Sequence, residues 1–198
     1  MKNIDSVEKL QKYQYLVARL KSHEDDIDFY ELRMLYTQTT IYNPYDDKIH
    51  DLHDEMYAAL SNSDFQKAFD CADSIFLKCY VDLDAHFVCS IIYSKLNDHL
   101  KKNYHQFVYE GLLDSILASG DGKSPETAFQ VISTNEEYFL LQILGCQPKS
   151  QKFLEINNHH YDLLITKSTQ TNEESEIFFD VDIPYKWFGK ILKRKGIN

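Results

Sequence analysis

The sequence predicts an α+β protein, with tetratricopeptide-like antiparallel helical hairpins over residues 1–119 and a small antiparallel β-sheet with one or two covering helices over residues 120–198. Three observations carry this expectation. Apolar residues recur at helical spacing through the first half. That half repeats itself at a shift of 36 residues. After Gly120 the helical period gives way to short β-branched and aromatic runs separated by turn residues. The two regions are expected to form one continuous unit, since 198 residues suit one domain or two small lobes sharing a core.

Six helices are expected before Gly120. The first follows a capping-box-like Asp5-x-x-Glu8 and carries Leu10, Tyr13, Val17 and Leu20. The second runs from about Asp28 through Leu32 and Tyr36, stopping before Asn43-Pro44, and the third carries Ile49, Leu52, Met56 and Leu60. Ser63 or Asp64 caps the fourth, which extends to Cys79, and Asp84 caps the fifth, with Val88, Ile91, Ile92 and Leu96. The sixth spans about Leu100 to Leu117.

The 36-residue shift superimposes Asp28-Phe29 on Asp64-Phe65, His50 on His86, and Tyr57 to Asn62 on Tyr93 to Asp98. The period and the two-helix unit resemble a short, degenerate tetratricopeptide array, whose stacked hairpins would leave a groove along one side. An ordinary helical bundle is the alternative.

In the second half, Gly120-Asp121-Gly122 reads as a turn and Ser124-Pro125 as the start of a short helix. A strand over 129–133, a helix over 136–144 stopped by Gly145, and a hairpin of strands 152–156 and 161–167 about a 157–160 turn should follow. A last strand over 176–183 ends at Pro184, leaving a terminal helix from Tyr185 to Lys195. The segments Gly120 to Phe129, Glu136-Glu137-Tyr138, Pro148-Lys149-Ser150 and Phe179 to Pro184 together resemble a bacterial family of unknown function. The resemblance is specific from about Gly111 to Gly189 and implies a helical N-terminal region joined to this C-terminal signature, with no activity to carry over.

A net charge of −10 speaks against nucleic acid as a main partner, because that binding depends on Lys and Arg displacing counterions. The basic C-terminal group Lys190, Lys193, Arg194 and Lys195 suits the negative end of a last helix. No apolar run resembles a signal or a membrane span, so a cytoplasmic location is expected, with a secreted or periplasmic one open had a signal been removed. Cys71, Cys79 and Cys89 sit at apolar positions and read as buried thiols, and Cys146 follows a helix end as the most exposed.

Candidate chemistry is sparse. Gly120 to Ser124 lacks the spacing and the preceding strand of a phosphate loop, so a structural turn is the plainer reading. His50 and Asp54, with His53 between them, lie on one helix, without the adjacent glutamate of a zinc protease motif, and read as solvated polar residues. Asp82-x-Asp84-x-His86 offers metal-ligand chemistry, but capping by Asp84 explains it more simply. His159 and His160 fall in the expected turn, where adjacent side chains diverge. The pairs His50/His86 and Tyr57/Tyr93 are expected at equivalent repeat positions, with the tyrosines lining a shared surface. No cofactor or metal is implied. The leading expectation is therefore a non-catalytic module binding a protein or peptide. The rival is an enzyme or small-ligand receptor using a cleft and residues such as His86, Asp82 and Glu137.

Overall fold

In the computed structural model, residues 2–194 are described, with side chains from 7 to 193. The chain divides into two compact units, Met1–Leu113 and Asp114–Asn198. It is an α+β protein: helices α1 (Lys2–Lys21), α2 (Phe29–Thr37), α3 (Asp47–Ser61), α4 (Phe65–Phe76), α5 (Leu83–Lys95) and α6 (His99–Leu117) precede a four-stranded sheet with two more helices.

The helix starts of the first unit are set by one residue type. Asp28, Asp46, Asp64 and Asp82 are the N-caps of α2 to α5, and each side chain accepts a backbone N–H of the first turn. This satisfies donors that a helix cannot pair internally. The 36-residue repetition is thus real in the caps, with Asp28 matching Asp64 and Asp46 matching Asp82. It does not extend to the side chains between them. His50 is exposed whereas His86 is fully buried, and Leu60 is half-buried inside α3 whereas Leu96 is the exposed C-cap of α5.

Two expected boundaries shift for local reasons. Asp82, not Asp84, caps α5, because Asp82 keeps an extended backbone while Asp84 already lies in the first helical turn. Cys79 falls beyond α4, in the connection to α5, though it is buried as expected, as are Cys71 and Cys89. Helix α1 begins at Lys2, ahead of Asp5, whose side chain lies outside the described residues.

Helix α3 packs on α4 and α5, α4 packs on α5, and α1 packs on α2. Helix α5 is central: Leu83, Ala85, His86, Val88, Cys89, Ser90 and Ile92 are all buried, which leaves almost no polar face. Tyr13 of α1 reaches the α4–α5 connection, where its hydroxyl accepts the Tyr80 N–H.

The second unit holds β1 (Phe129–Gln130), α7 (Thr134–Ile143), β2 (Cys146–Ile156), β3 (His159–Ser168), β4 (Glu174–Asp180) and α8 (Asp182–Arg194), with a 3-10 turn at Pro125–Thr127. The sheet order is β1-β4-β3-β2. Strands β2, β3 and β4 form the expected antiparallel meander, but β1 is only two residues long and runs parallel to β4, so the sheet is mixed. Buried Phe129 lies opposite Phe179, and bonds from Phe178 N–H to the Gly122 carbonyl and from Val131 N–H to the Asp180 carbonyl frame the pairing.

The β2–β3 turn is tighter than expected. Asn157 and Asn158 both have positive φ, 52° and 61°, the signature of a two-residue type I′ turn, which moves His159 and His160 into β3. Pro184 sits within the first turn of α8 instead of ahead of it, where its missing N–H costs nothing. Cys146 opens β2 directly after Gly145, whose φ of 65° ends α7. Lys190 and Lys193 lie on α8, and Lys195 is outside the described residues.

Gly122 has a φ of 69°, and a Cβ there would stand 2.5 Å from the Phe129 ring and 3.1 Å from Ile177. The glycine-rich segment is therefore a packed turn. Gly122→Ala is expected to destabilise the protein by about 2–4 kcal/mol, combining left-handed strain with overpacking, measured as a lower urea midpoint at unchanged slope.

Candidate functional site

The helical unit contains a pocket of about 540 Å³, a size typical of small-molecule sites. Its wall comes from Lys21 and His23 at the end of α1, Asp73, Phe76 and Leu77 at the end of α4, Tyr80 in the α4–α5 connection, and Lys101, Tyr104 and His105 on α6. Lys21 Nζ lies 4.4 Å from the centre of the Tyr80 ring, and Lys101 Nζ lies 5.1 Å from that of Tyr93. Both ammonium groups are thereby held near aromatic faces. The Tyr80 and Tyr104 hydroxyls are 2.5 Å apart, so one proton joins them and the other hydroxyl hydrogen is left over.

Behind this wall runs a histidine pair. His86 Nε2 lies 3.0 Å from the Tyr80 carbonyl, and His86 Nδ1 lies 3.0 Å from His105 Nδ1. The His105 ring is stacked with Phe76 on one contact and Tyr93 on another, at interplanar angles of 24° and 23°. Burial pulls the pKa of His86 well below its ordinary value, with His105 and Lys21 adding to the effect. Burial, with Lys101, lowers that of His105 to about 4. Both rings are neutral near pH 7.

Of the residues singled out from sequence, His86 and Tyr93 touch this pocket's wall, both against His105. His50 and Asp54 are exposed on α3, while His53 on the same helix turns inward. His53 Nε2 lies 3.0 Å and 3.1 Å from the two oxygens of Asp82, and the Tyr57 hydroxyl donates to Asp84 at 2.6 Å. One ligand-type atom each from His53, Asp82 and Asp84 lies within 4.8 Å of the others. The Asp-x-Asp-x-His string therefore splits, its aspartates facing His53 and its histidine facing His105. Burial opposes charge on His53, yet the Asp82 carboxylate outweighs it and raises the pKa to about 9. Burial and the Asp82 charge raise Asp84 to about 6. His53 and Asp82 form a buried ion pair.

Tyr57 and Tyr93 make different contacts: Tyr57 donates to Asp84, whereas Tyr93 stacks on Phe69 and His105. In the second unit, His159 and His160 converge where divergence was expected. Their Nδ1 atoms lie 2.9 Å and 2.7 Å from separate oxygens of Asp182, which also accepts from Lys186 Nζ at 2.6 Å. Burial works against the Asp182 charge, but Lys186, His160 and His159 overcome it and hold the carboxyl well below the usual range. Glu137 on α7 is 1% exposed, and both its oxygens lack hydrogen-bond partners. Burial, followed by the charges of Asp162 and Glu136, raises its pKa well above normal.

Lys21, His23, Phe76, Tyr80, Lys101, Tyr104 and His105 were not visible as a set in the sequence. They come from three separate segments with no motif spacing. The one usable signal was the grouping of two lysines, Tyr104 and His105 within Lys101 to His105.

The family described as a domain of unknown function, DUF4919, matches residues 1–188. The chain belongs to this family. No curated protein and no solved structure matches it. Membership of DUF4919 agrees with the expected family of unknown function, and the match spans both units. No helix among the described residues is long and apolar enough to cross a membrane.

Two outcomes follow from the buried charges. His53 has a folded pKa above its unfolded value, so its contribution is complete below about pH 6.5 and lost as pH rises through about 9. Stability should therefore fall across that window by on the order of 2–3 kcal/mol. In His53→Gln the fall should be largely absent, as read by urea unfolding at a series of pH values. Glu137→Met, which keeps the length and removes the unpaired carboxyl, should stabilise the protein by about 1–3 kcal/mol. Because the raised acid loses its folded-state advantage as pH rises, that gain should be larger near pH 8 than near pH 5.

Proposed function

We propose that the protein is a non-catalytic binding module and that the pocket of its helical unit takes an anionic ligand with an aromatic face. The observation that carries this reading is the placement of Lys21 and Lys101 on a wall of aromatic rings, in a chain whose net charge is −10. A basic recess in an acidic protein focuses positive potential on one spot and draws an anion there. Asp73 is the acidic residue among the lining, and beside it Lys101 Nζ also pairs with Asp98 at 3.3 Å, which leaves Lys21 as the lining lysine with no carboxylate within ion-pair distance among the described residues. Phe76, Tyr80 and Tyr104 offer the apolar body such sites use, and the two lysines fix orientation.

Binding is favoured over catalysis by the state of the groups present. His105, at about 4, is a poor base at neutral pH, and buried Cys89, pushed to about 12, is a poor nucleophile. A carboxylate beside an aromatic ring is presented equally by a free aromatic acid and by a peptide ending in an aromatic residue. The second source keeps the protein- or peptide-binding role expected from the helical repeats.

Calorimetry with phenylacetate, phenylacetamide and a short peptide ending in free phenylalanine separates these sources. The acid should bind and raise the melting temperature, the amide should not, and Lys21→Glu/Lys101→Glu should lose at least about tenfold in affinity, a change of about 1.4 kcal/mol. A peptide preferred over phenylacetate would assign the site to a chain terminus. Equal response to acid and amide would sink the reading.

A further inference from the structure

We infer that the occupant of this pocket donates a hydrogen bond to Nε2 of His105, which narrows its class to aromatic acids bearing a ring hydroxyl or N–H. The inference deepens the binding reading and rests on it.

The argument is one of proton placement. A backbone carbonyl can only accept, so the 3.0 Å contact between His86 Nε2 and the Tyr80 oxygen requires the proton of His86 to sit on Nε2. His86 is fully buried and neutral, which leaves its Nδ1 as a lone pair. The facing atom 3.0 Å away, Nδ1 of His105, must then be the donor. His105 is neutral as well, and a neutral imidazole holds one proton. Its Nε2 is therefore an acceptor.

That acceptor is unused. Among the described residues the one hydrogen bond of His105 is made by Nδ1, and the enclosed side-chain atoms lacking partners are the two oxygens of Glu137. Nε2 is thus neither bonded nor sealed in, and it belongs to a ring that lines the pocket. The ring cannot turn to change this, because Phe76 and Tyr93 stack on it and Nδ1 is tied to His86.

The pocket consequently presents a mixed pattern. Lys21 and Lys101 donate, the Tyr80–Tyr104 pair has one hydroxyl hydrogen to give, and His105 Nε2 accepts a neutral donor. A ligand that is anionic and carries a ring O–H or N–H fills all of these. One in which that donor is methylated leaves a desolvated acceptor unpaired, a loss that sites built around hydrogen bonds punish.

The test uses the whole chain and two pairs of probes: 3- and 4-hydroxyphenylacetate against their methoxy counterparts, with phenylacetate as reference. In at least one pair the hydroxy acid should bind about tenfold more tightly. In His105→Phe, which keeps the ring stack, that preference should vanish, the hydroxy and methoxy acids binding equally whatever the affinity for phenylacetate. Independently, long-range proton–nitrogen spectra of the wild type should show His105 protonated at Nδ1 and His86 at Nε2. Equal affinities within both pairs, a preference surviving in His105→Phe, or His105 protonated at Nε2 would each overturn the inference. Failure of phenylacetate itself to bind would remove the pocket reading and this inference with it, whereas loss of discrimination alone would remove only the inference.

Discussion

The carboxylate of Asp82 is the contact on which the helical unit turns. One of its oxygens caps α5 by accepting the Ala85 N–H, and both lie within hydrogen-bond distance of His53 on α3. A buried carboxylate without such partners would cost far more than its neighbours return. With them, it fixes where the central helix begins and which face meets α3. One residue pair further along, Tyr57 and Asp84 repeat the same α3-to-α5 link. The position of His86, and through it His105, follows from where α5 is held.

The pocket illustrates how a few cations matter more than net charge. The chain has an excess of acidic groups, yet two lysines with aromatic neighbours produce a local environment of the opposite sign. His86 and His105 add no charge, because burial keeps them neutral. The proposed anion would be met by permanent charges, and its neutral part by hydrogen-bonding groups with fixed protons. Such a division suits recognition, in which geometry and charge must stay constant across modest changes of pH.

The β-containing unit handles buried acids in two opposite ways. Asp182, at the start of α8, is surrounded by His159, His160 and Lys186 and remains ionised. Glu137 is surrounded by apolar residues and other carboxyls and resists ionisation. Both lie in segments of the signature that resembled a family of unknown function. Their shared presence there reflects two different physical demands, one for a satisfied helix start and one for a carboxyl held in low dielectric.

The sequence by itself determined the order and type of the elements, because helical and strand periodicities, aspartate caps, Asn157-Asn158 and the glycine turns are local signals. Of the evenly repeated caps, the Asp28–Asp64 pair was legible in the 36-residue echo, whereas Asp46 was not singled out and α5 was expected to start at Asp84. Tertiary structure alone decided what those elements bring together. Helix rotation and crossing buried His86 while exposing His50, turned His53 instead of His50 inward, and gathered α1, α4 and α6 around one pocket. A strand only two residues long took its parallel partner from a segment roughly fifty residues away. Those outcomes depend on which faces pack and on which side chains share a desolvated space. Periodicity along one chain carries no record of either.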